Sequence, residues 1–371
     1  MLVLLAIELL DELVGGSRVA AWPLIRHDLG LSYAEVGLLL AIPGLFGSAL
    51  DPLLGLAANT PLRAKLVFLG GIGFGVSAVL SALALGFWSL LISLLLAYPA
   101  VGAFVSLAQA TLMDSDPAGR DRNMARWTLA GSIGYVAGPV LIAGGVVLGL
   151  SWRGVLLGLA VAALPLAFAA RRVTGRPSPP EAVRGLSRAL RDREVLRWLA
   201  LLEAADLLLD VFHGFLALYF VDVAGVSAVD AALAVAVWTG AGLVGDAALL
   251  WVLRRVSGFR YLRASALWAL FAYPAFLGVS SLPAKLVLLA LLGLLNSGWY
   301  ALPKAGLYST LPDESGTAVA VAGIGGLVGA LVPAGLGFLA QALGLGPTMW
   351  LLLIAPAALL VGTPRPGMLK A

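Results

Sequence analysis

The sequence predicts an all-α membrane protein of twelve transmembrane helices arranged as two pseudo-symmetric halves of six. Three observations carry that prediction. The 371 residues are 61% hydrophobic and only 12% charged, with a mean hydropathy of +0.99. A water-soluble fold of this size cannot hide so much apolar surface. Apolar stretches of about 20 residues, the length that crosses the hydrocarbon core, recur along the whole chain. Finally, an ungapped offset of 195 residues lays the second half on the first.

The offset is most informative where it matches acids. Glu8 and Asp11 lie in the first apolar stretch, and Glu203 and Asp206 occupy the same places in the first stretch of the second half. The same offset pairs Asp51 with Asp246, Gly30 with Gly225, Ser32 with Ser227, Gly131 with Gly326 and Gly134 with Gly329, and sets Glu35 against Asp230. Glycine matches are cheap among 45 glycines, but matched acids are not among 20. A duplicated membrane protein with carboxylates at matched places in its spans reads as a transporter whose site lies between the halves.

The spans fall at 3–26, 33–57, 64–85, 88–112, 124–149 and 152–171 in the first half. In the second they fall at 196–221, 228–253, 260–281, 284–309, 316–341 and 346–363. The first has no basic leader and is interrupted by Glu8, Asp11 and Glu12, so it reads as a retained helix and not a signal peptide. The domains are therefore 1–171 and 196–371, joined by a linker at 172–195. In that linker Ser178-Pro-Pro-Glu181 has the form of a capping box, followed by an apolar face of Val183, Leu186 and Leu190 between arginines. A short helix on the anionic inner leaflet and a solvated basic linker both fit.

Basic residues set the topology. The connections after spans 2, 4, 6 and 8 hold Arg63 and Lys65, then Arg120, Arg122 and Arg126, then seven arginines from Arg171 to Arg193, then Arg254, Arg255 and Arg260. The alternate connections hold only Arg26, Arg153 and Lys285. This places the first set and both termini in the cytoplasm, with the chain in the cytoplasmic membrane. Trp22, Trp88 and Trp152 are then expected at the outer interface.

The intramembrane charges form stripes. At about 100° per residue, Asp11 lies near −60° from Glu8, Glu12 near +40° and Arg18 near −80°. From Glu203, Asp206 lies near −60°, Asp210 near −20° and His213 near −80° on the same reckoning. Charges facing lipid are costly, so both stripes are expected to face the interior or water. The offset sets Arg18 against His213 and Gln109 against Lys304. Asn296, Tyr300 and Lys304 follow at i, i+4 and i+8, with Ser297-Gly298 and Pro303 expected to kink that helix. Asp51 and Asp246, near the cytoplasmic ends, suit gating or contacts between halves better than substrate. Each stripe also has a plainer reading: Glu8 and Glu203 as solvated end residues, Lys304 as a neutralised charge and His213 as a packing residue.

The chain resembles the major facilitator superfamily. That family's marker between helices 2 and 3, Gly-x-x-x-Asp-Arg-x-Gly-Arg-x-Arg, is met here by Gly55-Leu-Ala-Ala-Asn59-Thr60-Pro-Leu62-Arg63-Ala-Lys65. Asn59, Thr60 and Leu62 replace its Asp, Arg and Gly, which puts the usual charge latch between halves in question. Gly134-x-x-x-Gly138-Pro139 resembles the family's exporter motif, and Gly325, Gly326, Gly329 and Pro333 repeat the theme in helix 11. Small residues at this spacing also serve plain helix packing. Tyr98 stands where many proton-coupled members carry an Arg in helix 4. The resemblance implies that helices 1, 4, 7 and 10 line a central cavity.

No enzyme is expected. The chain lacks a phosphate-binding loop, a dinucleotide fingerprint and cysteine, has only His27 and His213, and calls for no cofactor. An oxygen-ligand site for a divalent cation from Asp11, Asp206, Asp210 and His213 stays open. The net charge of +4 orients the chain in lipid and does not imply nucleic acid. Its partners are the bilayer, a small-molecule substrate and protons or another coupling ion, and it is expected as a monomer.

The first functional expectation is proton-coupled export of a cationic or amphiphilic compound by alternating access. Asp11, Glu12, Asp206, Asp210 and His213 would bind proton or cation, while Glu8, Arg18, Gln109, Glu203, Asn296, Tyr300 and Lys304 line the cavity. The alternatives are an importer or facilitator of a carboxylate or sugar, and a non-transporting scaffold or sensor.

Overall fold

The computed structural model describes residues 1–58, 62–115, 120–171, 186–311 and 315–364, and all regular structure among them is helical. The first half supplies α1 (Leu2–Leu29), α2 (Tyr33–Ala58), α3 (Arg63–Ala82), α4 (Phe87–Val101, continued to Ser115), α5 (Arg120–Val147) and α6 (Ser151–Ala170). After a single helical turn at Leu186–Ala189 come α7 (Arg193–Asp206, continued to Asp222), α8 (Ala228–Val252) and α9 (Gly258–Gly278). The chain closes with α10 (Leu282–Leu295 and Ala301–Thr310), α11 (Ser315–Gly329 and Val332–Leu343) and α12 (Leu345–Gly362, whose middle turn, Trp350–Leu353, is 3₁₀). Eight of these helices are long and apolar enough to cross a membrane. Large apolar side chains such as Ile92, Val161, Leu250 and Val361 are left exposed on them, as a lipid solvent permits.

Two compact units divide the chain: Met1–Pro180 with Ser227–Ala236, and Glu181–Val226 with Val237–Ala371. The linker motif Ser178–Glu181 lies outside the described residues.

The internal repeat is realised in the turns. Gly30 and Gly225, matched by the offset, both adopt left-handed backbone, with φ of 63° and 70°, a conformation open to glycine at little cost. Two residues on, the matched serines cap α2 and α8. Ser32 Oγ accepts from the Glu35 N–H at 3.2 Å and donates to the Glu35 carboxylate at 2.8 Å. Ser227 Oγ does the same with Asp230, at 3.1 and 2.7 Å.

In the first unit α1 lies along α5, and α3 packs on α4 and α6. The α1–α5 seam is built by glycines. A Cβ at Gly134 would meet the Leu9 carbonyl, one at Gly138 the Ser17 nitrogen at 2.5 Å, and one at Gly16 the Tyr135 carbonyl at 2.5 Å and Pro139 Cδ at 3.1 Å. At this approach Ser17 Oγ donates to the Gly138 carbonyl across the seam, at 3.1 Å. Gly326 departs from the packing expected of it: an added Cβ there meets nothing within 4 Å, because the close approach in α11 is made by Gly325 and Gly329. Around α7 and α9 of the second unit, Phe212 meets Trp238, Tyr273 and Phe276 edge-on at 5.2–5.8 Å. Such geometry suits the ring quadrupoles.

Besides α12 with its 3₁₀ turn, four spans depart from uniform helices. Gly102–Ser106 in α4 and Leu207–Val211 in α7 are π-helical. α11 is interrupted after Gly329. In α10 the break falls at Asn296–Tyr300, where Gly298 takes φ +73°. Pro303 sits in the first turn of the following helix, where its missing N–H has no intrahelical partner to lose. Of the two causes expected for a kink here, the break falls at Ser297-Gly298.

Gly138→Ala is expected to lower the melting temperature, an overpacked contact costing about 1–3 kcal/mol. Gly326→Ala should leave it unchanged or raise it, since Ala is the better helix former. Thermal unfolding of the two detergent-solubilised variants checks both.

Candidate functional site

On α1 the single stripe expected from sequence divides in two. Glu8 is buried and points to α5, where its carboxylate lies against Gly131 and accepts from the Trp127 side chain. Glu12 packs over Gly134 and near Gly15. Asp11 and Arg18 turn the other way and line a pocket with Phe74, Ser77 and Ser81 of α3 and Val101 of α4. The rotation between Asp11 and Glu12, about 100°, is what separates the two faces. No ion pair within 4 Å joins Arg18 to another described residue, although Asp11 and Glu12 both lie within its Coulombic range.

A second pocket adjoins Arg18 and is lined by Trp22, Tyr98 and apolar residues of α2 and α4. Trp22 was expected at the membrane interface but is 1% exposed, because α1 is covered there by its neighbours. Trp152 is buried as well, its Nε1 donating to Asp28 at 2.7 Å, whereas Trp88 is exposed.

On α7 the acids frame the π segment. Glu203 precedes it and lies against Gly325 and Gly329 of α11, repeating the contact of Glu8 and Glu12 with the glycines of α5. Glu203 Oε2 is buried with no hydrogen-bond partner among the described residues. Asp206 is half-buried at the start of the π turn, Asp210 exposed within it and His213 buried just beyond. A π turn winds the chain less per residue than an α turn, so the α-helical angles expected for Asp210 and His213 do not hold. Such turns are common at functional sites.

The drifting face expected of α10 does not form, because the helix breaks between its members. Asn296 is 4% exposed and neither of its amide atoms has a partner among the described residues. Tyr300 is exposed and takes a hydrogen bond from Lys304 Nζ, which also lies 4.5 Å from the centre of its ring. Lys304 is within Coulombic range of Asp206. Gln109 of α4 donates to Met124 Sδ at 3.8 Å.

Of the residues assigned to gating or to contacts between halves, the latch-motif residues Asn59, Arg63 and Lys65 with Asp51 and Asp246, Arg63 is buried at the start of α3 and Lys65 is exposed. Asp246 is exposed on α8 and accepts from the Gly298 N–H. Asp51 lies in the helical run of α2, and Asn59 is outside the described residues. Among the described residues no three of His, Asp and Glu cluster in a way that could hold a metal ion.

Two cations that sequence placed in loops are helix caps. Arg153 donates to the carbonyls of Ala82 and Ala84 at the end of α3, at 2.5 and 2.9 Å. Lys285, 4% exposed, donates to the Phe276 carbonyl at the end of α9 and to the Tyr219 hydroxyl, both at 2.8 Å. Spacing alone does not reveal either role. The one available signal is their place just after the ends of α3 and α9 or beside them in the fold.

Charged side chains inside apolar helical spans, with an open pocket at one of them, define a membrane transport protein. The Major Facilitator Superfamily profile matches residues 13–334, and the chain belongs to that superfamily. Its fold is similar to a bacterial homolog of the human lysosomal transporter Spinster in an inward-facing, occupied conformation, at 17% identity and a TM-score of 0.75, over 98% of this chain and 92% of that one. It is also similar to the nucleoside transporter NupG, at 13% identity and a TM-score of 0.77, over 98% and 96%. At these identities the likeness is one of fold. No curated protein matches the chain by sequence.

The natural absence of cysteine makes the pocket testable. Asp11→Cys should react with a small methanethiosulfonate reagent, whereas Ile7→Cys, at a site 0% exposed, should not. Mass spectrometry of the labelled protein reads both. For α7 and α11, Gly329→Ala should displace the Glu203 carboxylate and reduce activity about as much as Glu203→Gln. The double variant should lose little more than either single one.

Proposed function

We propose that the protein moves a small molecule across the cytoplasmic membrane by alternating access, and that it couples protons to the export of a cationic or amphiphilic compound. The observation that carries this reading is the placement of carboxylates within α1 and α7: Asp11 opening on a pocket beside Arg18, Asp206 at the start of a π turn and Asp210 within it. Six acids on these helices, Glu8, Asp11, Glu12, Glu203, Asp206 and Asp210, stand against Arg18, Lys304 and a titratable His213. An acidic excess attracts cations and stores protons, and it disfavours multiply charged anions. A carboxylate can take up and give up a proton, which is the chemistry this reading asks of these groups. In this reading Arg18 and Lys304 adjust the charge balance of their own acids, and both termini lie in the cytoplasm.

A second reading is favoured by Asn296, whose buried, unpartnered amide suits a neutral, hydrogen-bonding substrate. The fold neighbour named as a nucleoside transporter is in keeping with it. In this case the acids serve only the proton.

Proteoliposomes with an imposed pH gradient separate the readings. Asp206→Asn should abolish gradient-driven transport of organic cations while leaving exchange, and should remove cation-dependent thermal stabilisation of the purified protein. Driven transport that persists in Asp206→Asn would exclude Asp206 as proton carrier. Stabilisation by nucleosides or sugars that disappears in Asn296→Leu and survives in Asp206→Asn would favour the second reading.

A further inference from the structure

The pocket beside Arg18 in the first unit is assembled from hydrogen-bond donors set in an apolar wall. Arg18 and Trp22 come from one face of α1, four residues and about one turn apart. Arg18 has no hydrogen bond or ion pair to another described residue. The indole N–H of Trp22 is also unpartnered among them, although the residue is 1% exposed. A buried N–H without an acceptor is rare in native structures and marks a place where a partner is missing. Tyr98 of α4 lines the same space and packs on Gly47 of α2. The rest of the wall includes Leu39 and Leu40 of α2 and Leu94 of α4.

Apart from the Tyr98 hydroxyl, which both donates and accepts, the polar groups in this wall are donors. A guanidinium presents a planar fork of donors that fits a carboxylate, and the indole adds one donor and no acceptor. The leucines provide no polar group and suit a hydrocarbon body. Asp11 lies beyond Arg18, in the neighbouring pocket. It leaves the guanidinium without a contact ion pair, so a ligand carboxylate has no bound acid to displace.

We infer that this pocket is a subsite for an amphiphilic monocarboxylate, its carboxylate on Arg18 and the Trp22 N–H and its apolar body against Leu39, Leu40 and Leu94. The inference deepens the transport reading by giving the amphiphile a charged head, and it rests on that reading for its role in transport, though not for binding.

Benzoate is the probe, with benzyl alcohol and phenyl phosphate as controls, titrated calorimetrically into the detergent-purified full-length protein. Wild type should bind benzoate in preference to both controls. Trp22→Phe keeps the ring, removes the N–H and should weaken benzoate about tenfold, the worth of one hydrogen bond to a charged group. Arg18→Gln should abolish binding, and Trp268→Phe, at an exposed position, should leave it unchanged. Leu40→Phe narrows the pocket with both donors in place and should also weaken binding at least tenfold, which keeps the test intact if a donor variant fails to fold. Equal benzoate affinity in wild type, Trp22→Phe and Leu40→Phe would overturn the inference, as would preference for phenyl phosphate or no binding to wild type. Any of these results alongside intact Asp206-dependent cation stabilisation would leave the transport reading standing. Loss of that stabilisation with benzoate binding intact would sink the transport reading and not the subsite.

Discussion

In hydrocarbon a polar group has no water to turn to, so each one in a membrane span must find its partner in the protein. Most of the buried polar chemistry here answers that constraint. Glu8 receives a donor from Trp127, Ser17 reaches the carbonyl of Gly138 across the α1–α5 seam, and Trp299 donates to Ser265 at 2.9 Å. The glycines of α5 and α11 belong to the same account. By giving up side-chain volume they let a neighbouring helix bring carboxylates into the interior: Glu8 and Glu12 in one half, Glu203 in the other. Packing and charge placement are thus one design, used twice.

The exceptions are the groups that the proposed function would use. Trp22 Nε1, Glu203 Oε2 and both amide atoms of Asn296 are buried without a hydrogen-bond partner among the described residues. Each costs stability on its own, by about 1–3 kcal/mol for a lost hydrogen bond. They fall on α1, α7 and α10, the helices whose residues the sequence marks by charge or by interruption. A protein that must bind and release a solute needs groups left unsatisfied between turnovers.

Much of this was legible in the sequence because the repeat is ungapped. Matched Gly30 and Gly225 become matched left-handed turns, and matched Ser32 and Ser227 become matched caps. The acids on α1 and α7 were visible as interruptions of apolar runs. What escaped is whatever depends on helical winding or on three-dimensional neighbours. Arithmetic at a constant angle per residue cannot foresee a π turn, so His213 is displaced from its expected face. Of the two causes expected for the break in α10, Ser297-Gly298 and Pro303, the positive φ of Gly298 marks the one at work. Trp22 resembled an interfacial residue because composition does not show which face of α1 is covered.

Arg153 and Lys285 close the ends of equivalent helices, α3 and α9, but from different places in the chain. Lys285 stands only a few residues after the helix that it caps, so the α9–α10 hairpin is complete as soon as α10 enters the bilayer. The end of α3 must wait for α6, three helices later, before its carbonyls are met. The two halves therefore share an architecture without sharing the source of this cap: one is supplied from the far end of its half, the other from the next helix.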